Sequence, residues 1–562
     1  MHVSRTHPGG LGRLAFGAAV AGAVLTAAPS AADAFCGFYI NGAGSEMFND
    51  ATQVVLMRKG TRTVLSMQNN YKGPPDAFAM VIPVPTVLQE ADVKTLPKDV
   101  FTRVDVMGAP RLVEYWEQDP CYVERYDRRP SPKMAGGGAR MKSDDSAAPD
   151  DDLGVTIEAA FTVGEYQIAI LSAKDATGLD TWLRREKYQI PAGAEPFLRP
   201  YVEGGMKFFV AKVDPTKVSF GADGRAALSP LRFHYDSEEF NLPIRLGLAN
   251  SSGTQDLIVS ILSPGQRYEV SNYANVTIPT NLDVRDSVRT SFGSFYAALF
   301  DRTLEKNPGA VVTEYAWAAS TCDPCPGPTL GMNDFTLLGA DVLDTPMGAV
   351  TGGGGGVIAT DKPGPGARRP MPRRVSNNFV LTRLHARYGK TITEDLIFKA
   401  AAPIVGGREF RGGGGKLEER ATPSSINNFQ ARYAIRHWWT GPIKCKSPRR
   451  GIWGGPPGRG RPDIKPALDL AFAPRNKAAL PRLLVSNVPE IGVRAYKPRR
   501  KPRPVTPPRP PVEAPDPKVK GSPMAPIGQG CACSTPAGSR GDATLLALAV
   551  VTIALVRRRR RA

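Results

Sequence analysis

The chain has 562 residues, a formal net charge of +19, 57 glycines and 52 prolines. That length has room for two or three domains, but the low-complexity runs rich in proline and glycine keep part of it out of any packed core. The charge excludes less than it suggests. Residues 494–530 hold nine basic and two acidic side chains, 534–562 six and one, and 1–34 two and one, which leaves only +6 for residues 35–493. No basic stripe with interleaved aromatics stands out in that remainder, so nucleic acid is not an expected partner.

The chain opens with a secretory signal pattern. Arg5 and Arg13 precede an apolar, small-residue run from Leu14 to Leu25, which closes on Ala32-Asp33-Ala34. This run is too short to span a hydrocarbon core of about 30 Å, so cleavage is expected rather than retention. Phe35 stands between Ala34 and Cys36. A lipoprotein signal would need the cysteine directly after the small residues, so ordinary cleavage between Ala34 and Phe35 is expected.

Strands dominate the chain beyond the signal. Residues 52–58 and 61–67 flank Lys59-Gly60 and read as a β-hairpin with a tight glycine turn. Residues 77–84 form a buried strand, and 155–171 one or two more. Residues 175–186 give the clearest helix, with Leu179, Trp182 and Leu183 on one face. A short helix is expected at 195–202 and a longer one at 291–305. Further strands are expected at 206–213, 231–235, 257–262, 379–388 and 429–435. Two polar or glycine-rich stretches, near 128–152 and 351–372, read as flexible insertions. The pattern predicts an α+β body over 35–495, with mixed or antiparallel sheets and a few helices.

Residues 496–530 form a basic, proline-dense linker that favours extended polyproline II and suits a stalk. An envelope polysaccharide or anionic lipid is its expected contact. Residues 531–562 begin with Cys531 and Cys533 and continue into an uncharged apolar segment, 543–556. Arg557, Arg558, Arg559, Arg560 and Arg561 follow directly. The arginines resist translocation and stop the segment in the membrane with the body outside. This tail resembles the MYXO-CTERM sorting signal of myxobacteria and their relatives. The resemblance implies processing or lipidation near Cys531 and Cys533, with export and sorting machinery as partners.

Several body segments resemble the domain-of-unknown-function 2330 family of exported bacterial proteins. They are Phe35-Cys-Gly-Phe38, Ala79-Met-Val-Ile-Pro-Val-Pro85, Ile170-Leu-Ser-Ala-Lys174 and Gly178-Leu-Asp-Thr-Trp-Leu183. Further along come Cys322-Asp-Pro-Cys-Pro326, Leu381-Thr-Arg-Leu-His-Ala-Arg-Tyr388 and Thr393-Glu-Asp-Leu-Ile-Phe398. The resemblance runs from about residue 35 to 450. It implies export and unity of the body, and carries no catalytic residue, metal ligand or cofactor-binding residue with it.

Cys322-Asp-Pro-Cys325 is the sharpest chemical candidate. This spacing suits a static disulfide, a redox pair or half of a zinc site. Three prolines within Ser320–Pro328 argue for a loop, and no second Cys-x-x-Cys completes a metal site, so a static disulfide is expected. His234, His385 and His437 are the histidines left after signal removal, and each reads as a packed or surface residue. Glu238-Glu239 reads as a pair of solvated charges. Trp438, Trp439 and Trp453, near Tyr433, are expected to pack in the core, with a carbohydrate-stacking platform the competing role. Standard catalytic and nucleotide-binding signatures are absent, and no cofactor is expected. The functional expectation is therefore an exported, envelope-anchored structural or binding protein. A secreted thiol-redox enzyme or a hydrolase of unrecognised type is the alternative.

Overall fold

The computed structural model describes residues 53–68, 79–121, 154–186, 193–218, 228–249, 254–343, 378–389, 391–411, 416–458, 461–468 and 478–497, with residues 188, 190 and 470 and short strands at 38–40, 48–49, 71–72 and 225–226. Residues 1–34 and Phe35 lie outside these, as do both insertions, Cys531, Cys533 and Arg557 to Arg561. The chain divides into one unit spanning Met1–Lys497 and another spanning Pro498–Ala562, and the described residues all belong to the first.

The expected hairpin is present as Gln53–Lys59 and Arg62–Gln68, paired antiparallel with Lys59 opposite Arg62. The turn is thus Gly60-Thr61, one residue later than expected. Gly60 sits at φ 59°, a left-handed conformation that glycine adopts without a Cβ penalty. The first hairpin strand is nearly continuously apolar because both of its faces are covered. Val54 and Leu56 point into one core, and Val55 and Met57 into another.

This hairpin lies inside an 11-stranded sheet. At its centre Gln255–Pro264 runs parallel to Gln53–Lys59 and antiparallel to Phe379–Tyr388, which in turn pairs antiparallel with Val311–Ala318. One face packs on a second, five-stranded antiparallel sheet through residues such as Leu56, Leu65, Ile82, Ile168 and Phe209. The outer face of that second sheet carries the helices Ala176–Arg185 and Glu195–Glu203, both where expected. Asp175 caps the first of them by accepting a hydrogen bond from the Gly178 backbone N–H at 2.6 Å. The opposite face of the large sheet is covered by the helices Asp99–Gly108 and Phe292–Lys306. The architecture is α+β, as the strand-rich pattern predicts.

One predicted element is two. The expected strand at 429–435 splits at Ala431, and its halves join different sheets. Asn428–Gln430 pairs antiparallel with Val311–Ala318 in the large sheet. Arg432–His437 runs parallel to Arg111–Glu117 in another five-stranded sheet. The backbone of Ala431 is held on both sides, donating to the Glu314 carbonyl and accepting from the Arg111 N–H, each at 2.9 Å. Gly407 makes the crossing possible. Its φ is 74°, and a Cβ there would lie 2.0 Å from the Gln430 carbonyl oxygen, so no larger residue fits.

Several elements are not legible in the residues, among them one helix and two long strands. The helix Asp99–Gly108 has Lys98 at its N-cap with no side-chain cap, so its start carries no signal. The strand Arg111–Glu117 buries Arg111, Glu114 and Glu117, and Val311–Ala318 buries Glu314 beside Tyr315 and Trp317, which obscures the alternation of apolar and polar residues.

Candidate functional site

Cys322 and Cys325 follow the strand Val311–Ala318 in an irregular loop, with their sulfurs 1.95 Å apart as a disulfide. Cys325 is exposed, and neither cysteine opens a helix; the next helix begins at Met332. A redox pair draws its reactivity from a thiol whose pKa is lowered at a helix N-terminus, and that arrangement is absent here. The loop is instead fastened from beneath. Arg111, fully buried, donates from Nη1 to the Pro324 carbonyl at 2.9 Å, and Gln430 Nε2 donates to the Asp323 carbonyl at 2.6 Å. A second disulfide joins Cys121 to Cys445 across 324 residues, a pairing that spacing could not reveal.

Glu314 is the centre of a buried charge network. It occupies a bulge where the register between Val311–Ala318 and Phe379–Tyr388 shifts, which aims its carboxylate into the core. There it accepts from Tyr296 Oη at 2.6 Å and Arg383 Nε at 2.7 Å, and lies 2.7 Å from His385 Nδ1. Arg383 also pairs with the Asp105 carboxylate from the covering helix. Burial pushes the Glu314 carboxyl up, but His385 and Arg383 outweigh it and hold the group at about 2. Burial, reinforced by Glu314, pushes the Tyr296 hydroxyl well above its ordinary range. The His385 ring stacks on Phe300 at 3.7 Å between centroids, and its Nε2 has no partner among the described residues. His385 also lines a void of about 10 Å³, room for about one water. Glu314, Arg383 and His385 are at most 2 % exposed, so this cluster has no path to a substrate and acts on stability.

A similar trio sits at the surface. Glu114 accepts from Arg289 Nε at 2.8 Å and lies 2.9 Å from His437 Nε2, and the His437 ring stacks on Trp116 at 4.6 Å. Burial pushes the Glu114 carboxyl up, but Arg289 and His437 outweigh it and hold it below its ordinary range. His234 pairs in the same manner with Asp92, 3.3 Å away. All three body histidines therefore face carboxylates, and the four described cysteines are bonded in pairs. Among the described residues no free cysteine faces a histidine as a catalytic pair would require. Glu238 and Glu239 are exposed.

Beside the surface trio, residues 438–458 and 461–465 present aromatic and basic groups together. Trp438 is 58 % exposed and meets Trp453 edge-on at 4.9 Å. The Arg450 guanidinium lies over Trp438 at 5.9 Å, and that of Arg436 over Trp453 at 4.8 Å. Core packing is the expected role for these tryptophans, and the exposed Trp438 corrects it. Tyr433 does pack in the core: it is fully buried among Phe292, Phe295 and Tyr296 and takes no part in the platform.

One carboxylate organises this surface. Glu117, at the end of its strand and 3 % exposed, accepts from Arg450 Nε at 2.8 Å, from the Gly451 N–H at 2.7 Å and from the Trp439 N–H at 3.0 Å. Burial pushes its carboxyl up, and these donors outweigh the burial and hold it below the ordinary carboxylate range. Glu117→Ala strands all of these donors at once. It is expected to cost about 3 kcal/mol in urea unfolding and to open 438–465 to limited proteolysis. A variant as stable and as protease-resistant as wild type would remove Glu117 from this role.

A separate cleft of about 1100 Å³ lies between the helix Phe292–Lys306 and residues 478–494. Its charged lining is largely self-compensated. Arg302 pairs with Glu305, and Arg387 with Asp256 and Asp301. Among the described residues no group of three or more His, Cys, Asp or Glu could hold a metal ion, and no helix is long and apolar enough to cross a membrane.

A model for a bacterial family described as uncharacterized conserved proteins, DUF2330, matches residues 30–399. The match ends short of residue 450, so the segment 438–465 lies beyond it. No curated protein and no solved structure matches.

Proposed function

The chain belongs to the DUF2330 family of uncharacterized bacterial proteins, and from that membership we propose that it is an exported, envelope-anchored surface protein that binds rather than catalyses. The observation that carries this reading is the pairing of all four described cysteines into two disulfides, one of them across 324 residues. Disulfides of this kind persist in oxidising compartments and are rare in the cytosol. The signal pattern at 1–34, with cleavage between Ala34 and Phe35, supplies the route. The cysteines Cys531 and Cys533, the apolar segment 543–556 and Arg557 to Arg561 supply the anchor. The basic linker spaces the body from the membrane and lies against anionic lipid or polysaccharide. The enzymatic alternatives draw less support. The Cys322–Cys325 pair pinches a surface loop, and the Glu314–His385 pair is buried out of reach.

Mass spectrometry of the protein isolated from its native envelope, alkylated without reduction, tests this directly. The expected species begins at Phe35, lacks the terminal arginines and carries no alkyl group on Cys121, Cys322, Cys325 or Cys445. A species retaining Met1 and the arginine tail, recovered from the cytoplasm with alkylated body thiols, overturns the proposal.

A further inference from the structure

We infer that the surface formed by residues 438–458 and 461–465 is a binding platform for an acidic polysaccharide, with Trp438 stacking on a sugar ring and the surrounding cations pairing with its carboxylates. This rests on the envelope reading above and names the partner that the body takes there. The sequence from 438 to 465 holds seven basic side chains and one acidic, a net +6, which equals the whole excess carried by residues 35–493. The other residues of 35–493 sum to zero, so this stretch accounts for the body's net excess. Lys444, Lys446, Arg449 and Arg461 are exposed and form no ion pair with a described residue. Arg450, by contrast, is taken up by Glu117.

The platform is also held in place. Glu117 fixes Trp439, Arg450 and Gly451 from the sheet edge, and the Cys121–Cys445 disulfide fastens the stretch that carries Lys444 and Lys446. A surface of preset geometry loses less conformational entropy on binding than a flexible one. An exposed tryptophan among unpaired cations suits a polymer with alternating apolar ring faces and negative charges. Nucleic acid shares that description, but the disulfides favour a compartment whose polyanions are envelope glycans.

The test uses the full-length purified protein with disulfides intact, and measures binding of a polygalacturonate oligomer, a neutral β-glucan of matched length and a single-stranded DNA of matched charge. The linker arm is the same in every variant, so its contribution to polyanion binding sets a common baseline. Wild type is expected to prefer polygalacturonate to both other probes, with affinity falling as salt rises. Combining Lys444→Glu, Arg449→Glu and Arg461→Glu is expected to weaken that binding at least tenfold. Trp438→Ala, which leaves the charge intact, is expected to weaken it about tenfold, and Trp438→Tyr to restore most of the loss. All these side chains are exposed, and an unchanged thermal midpoint confirms folding. Equal affinity in wild type and the triple variant overturns the inference. So does a preference for DNA, and so does a Trp438→Ala variant with undiminished affinity. Surface proteolysis of intact cells separates the two claims. Binding lost on a displayed protein sinks this inference alone, and a protein never displayed sinks the envelope reading whatever it binds in solution.

Discussion

Arg383→Met is expected to destabilise the body by about 3–5 kcal/mol, the cost of breaking a buried ion pair from one side. Arg383 is fully buried and is the cation shared by Asp105 and Glu314; without it two carboxylates face each other in the core. Urea unfolding at neutral pH measures the loss. Arg383→Lys is expected to recover only part of it, since a single ammonium lacks the fork that bridges two carboxylates. A loss under about 1 kcal/mol for Arg383→Met would show that the network contributes little. The same network sets an acid limit. The Glu314 carboxyl is held at about 2 when folded, against an ordinary value of 4.5. The folded chain thus takes up this proton less readily than the unfolded chain. Its stabilisation is complete above pH 4.5 and is lost as the pH falls toward 2, a contribution of about 3 kcal/mol. A wild-type stability that stays flat across that window would contradict the assignment.

Replacing Cys121 and Cys445 together by serine is expected to cost about 2–5 kcal/mol, because the bond closes a loop of 324 residues in the unfolded chain. The effect has a local part as well. The stretch around Cys445 is mostly irregular, and its other attachments near this point are few, such as the Arg449 N–H donating to the Pro120 carbonyl at 2.9 Å. Differential scanning calorimetry reads the global loss, and limited proteolysis reads the release of residues 438–465. Reductant acting on wild type is expected to reproduce both. A double serine variant with wild-type midpoint and cleavage pattern would mean that Glu117 alone holds the segment.

Much of the local structure is legible in the residues because it arises from short-range chemistry. The two apolar, β-branched runs and the glycine between them announce the first hairpin, and the apolar face of Ala176–Arg185, capped by Asp175, announces that helix. The strand Phe379–Tyr388 matches its expected bounds to the residue, since Leu384, Ala386 and Tyr388 alternate with Arg383, His385 and Arg387 to its end. The candidate site is only half visible. The proline-rich setting of Cys322 and Cys325 points to a loop, but nothing near Trp438 distinguishes an exposed ring from a packed one, because the residue that decides it, Glu117, is more than three hundred positions away. The positive charge at 438–465 is present in the residues yet does not read as a stripe, since the aromatics and cations come together only once the loop is fastened to the sheet edge.

Residue types and their spacing therefore determined the class of the fold, the loop character of Cys322-Asp-Pro-Cys325 and the sparse histidine set, all of which depend on neighbours a few positions apart. The tertiary structure alone decided that Cys121 meets Cys445, that residues 428–437 serve two sheets rather than one, and that Glu314, His385 and Arg383 share a sealed core site. Each of these joins groups brought together by strand order. Strand order is settled by which apolar faces can be buried at once, a condition on the whole chain that no short window contains.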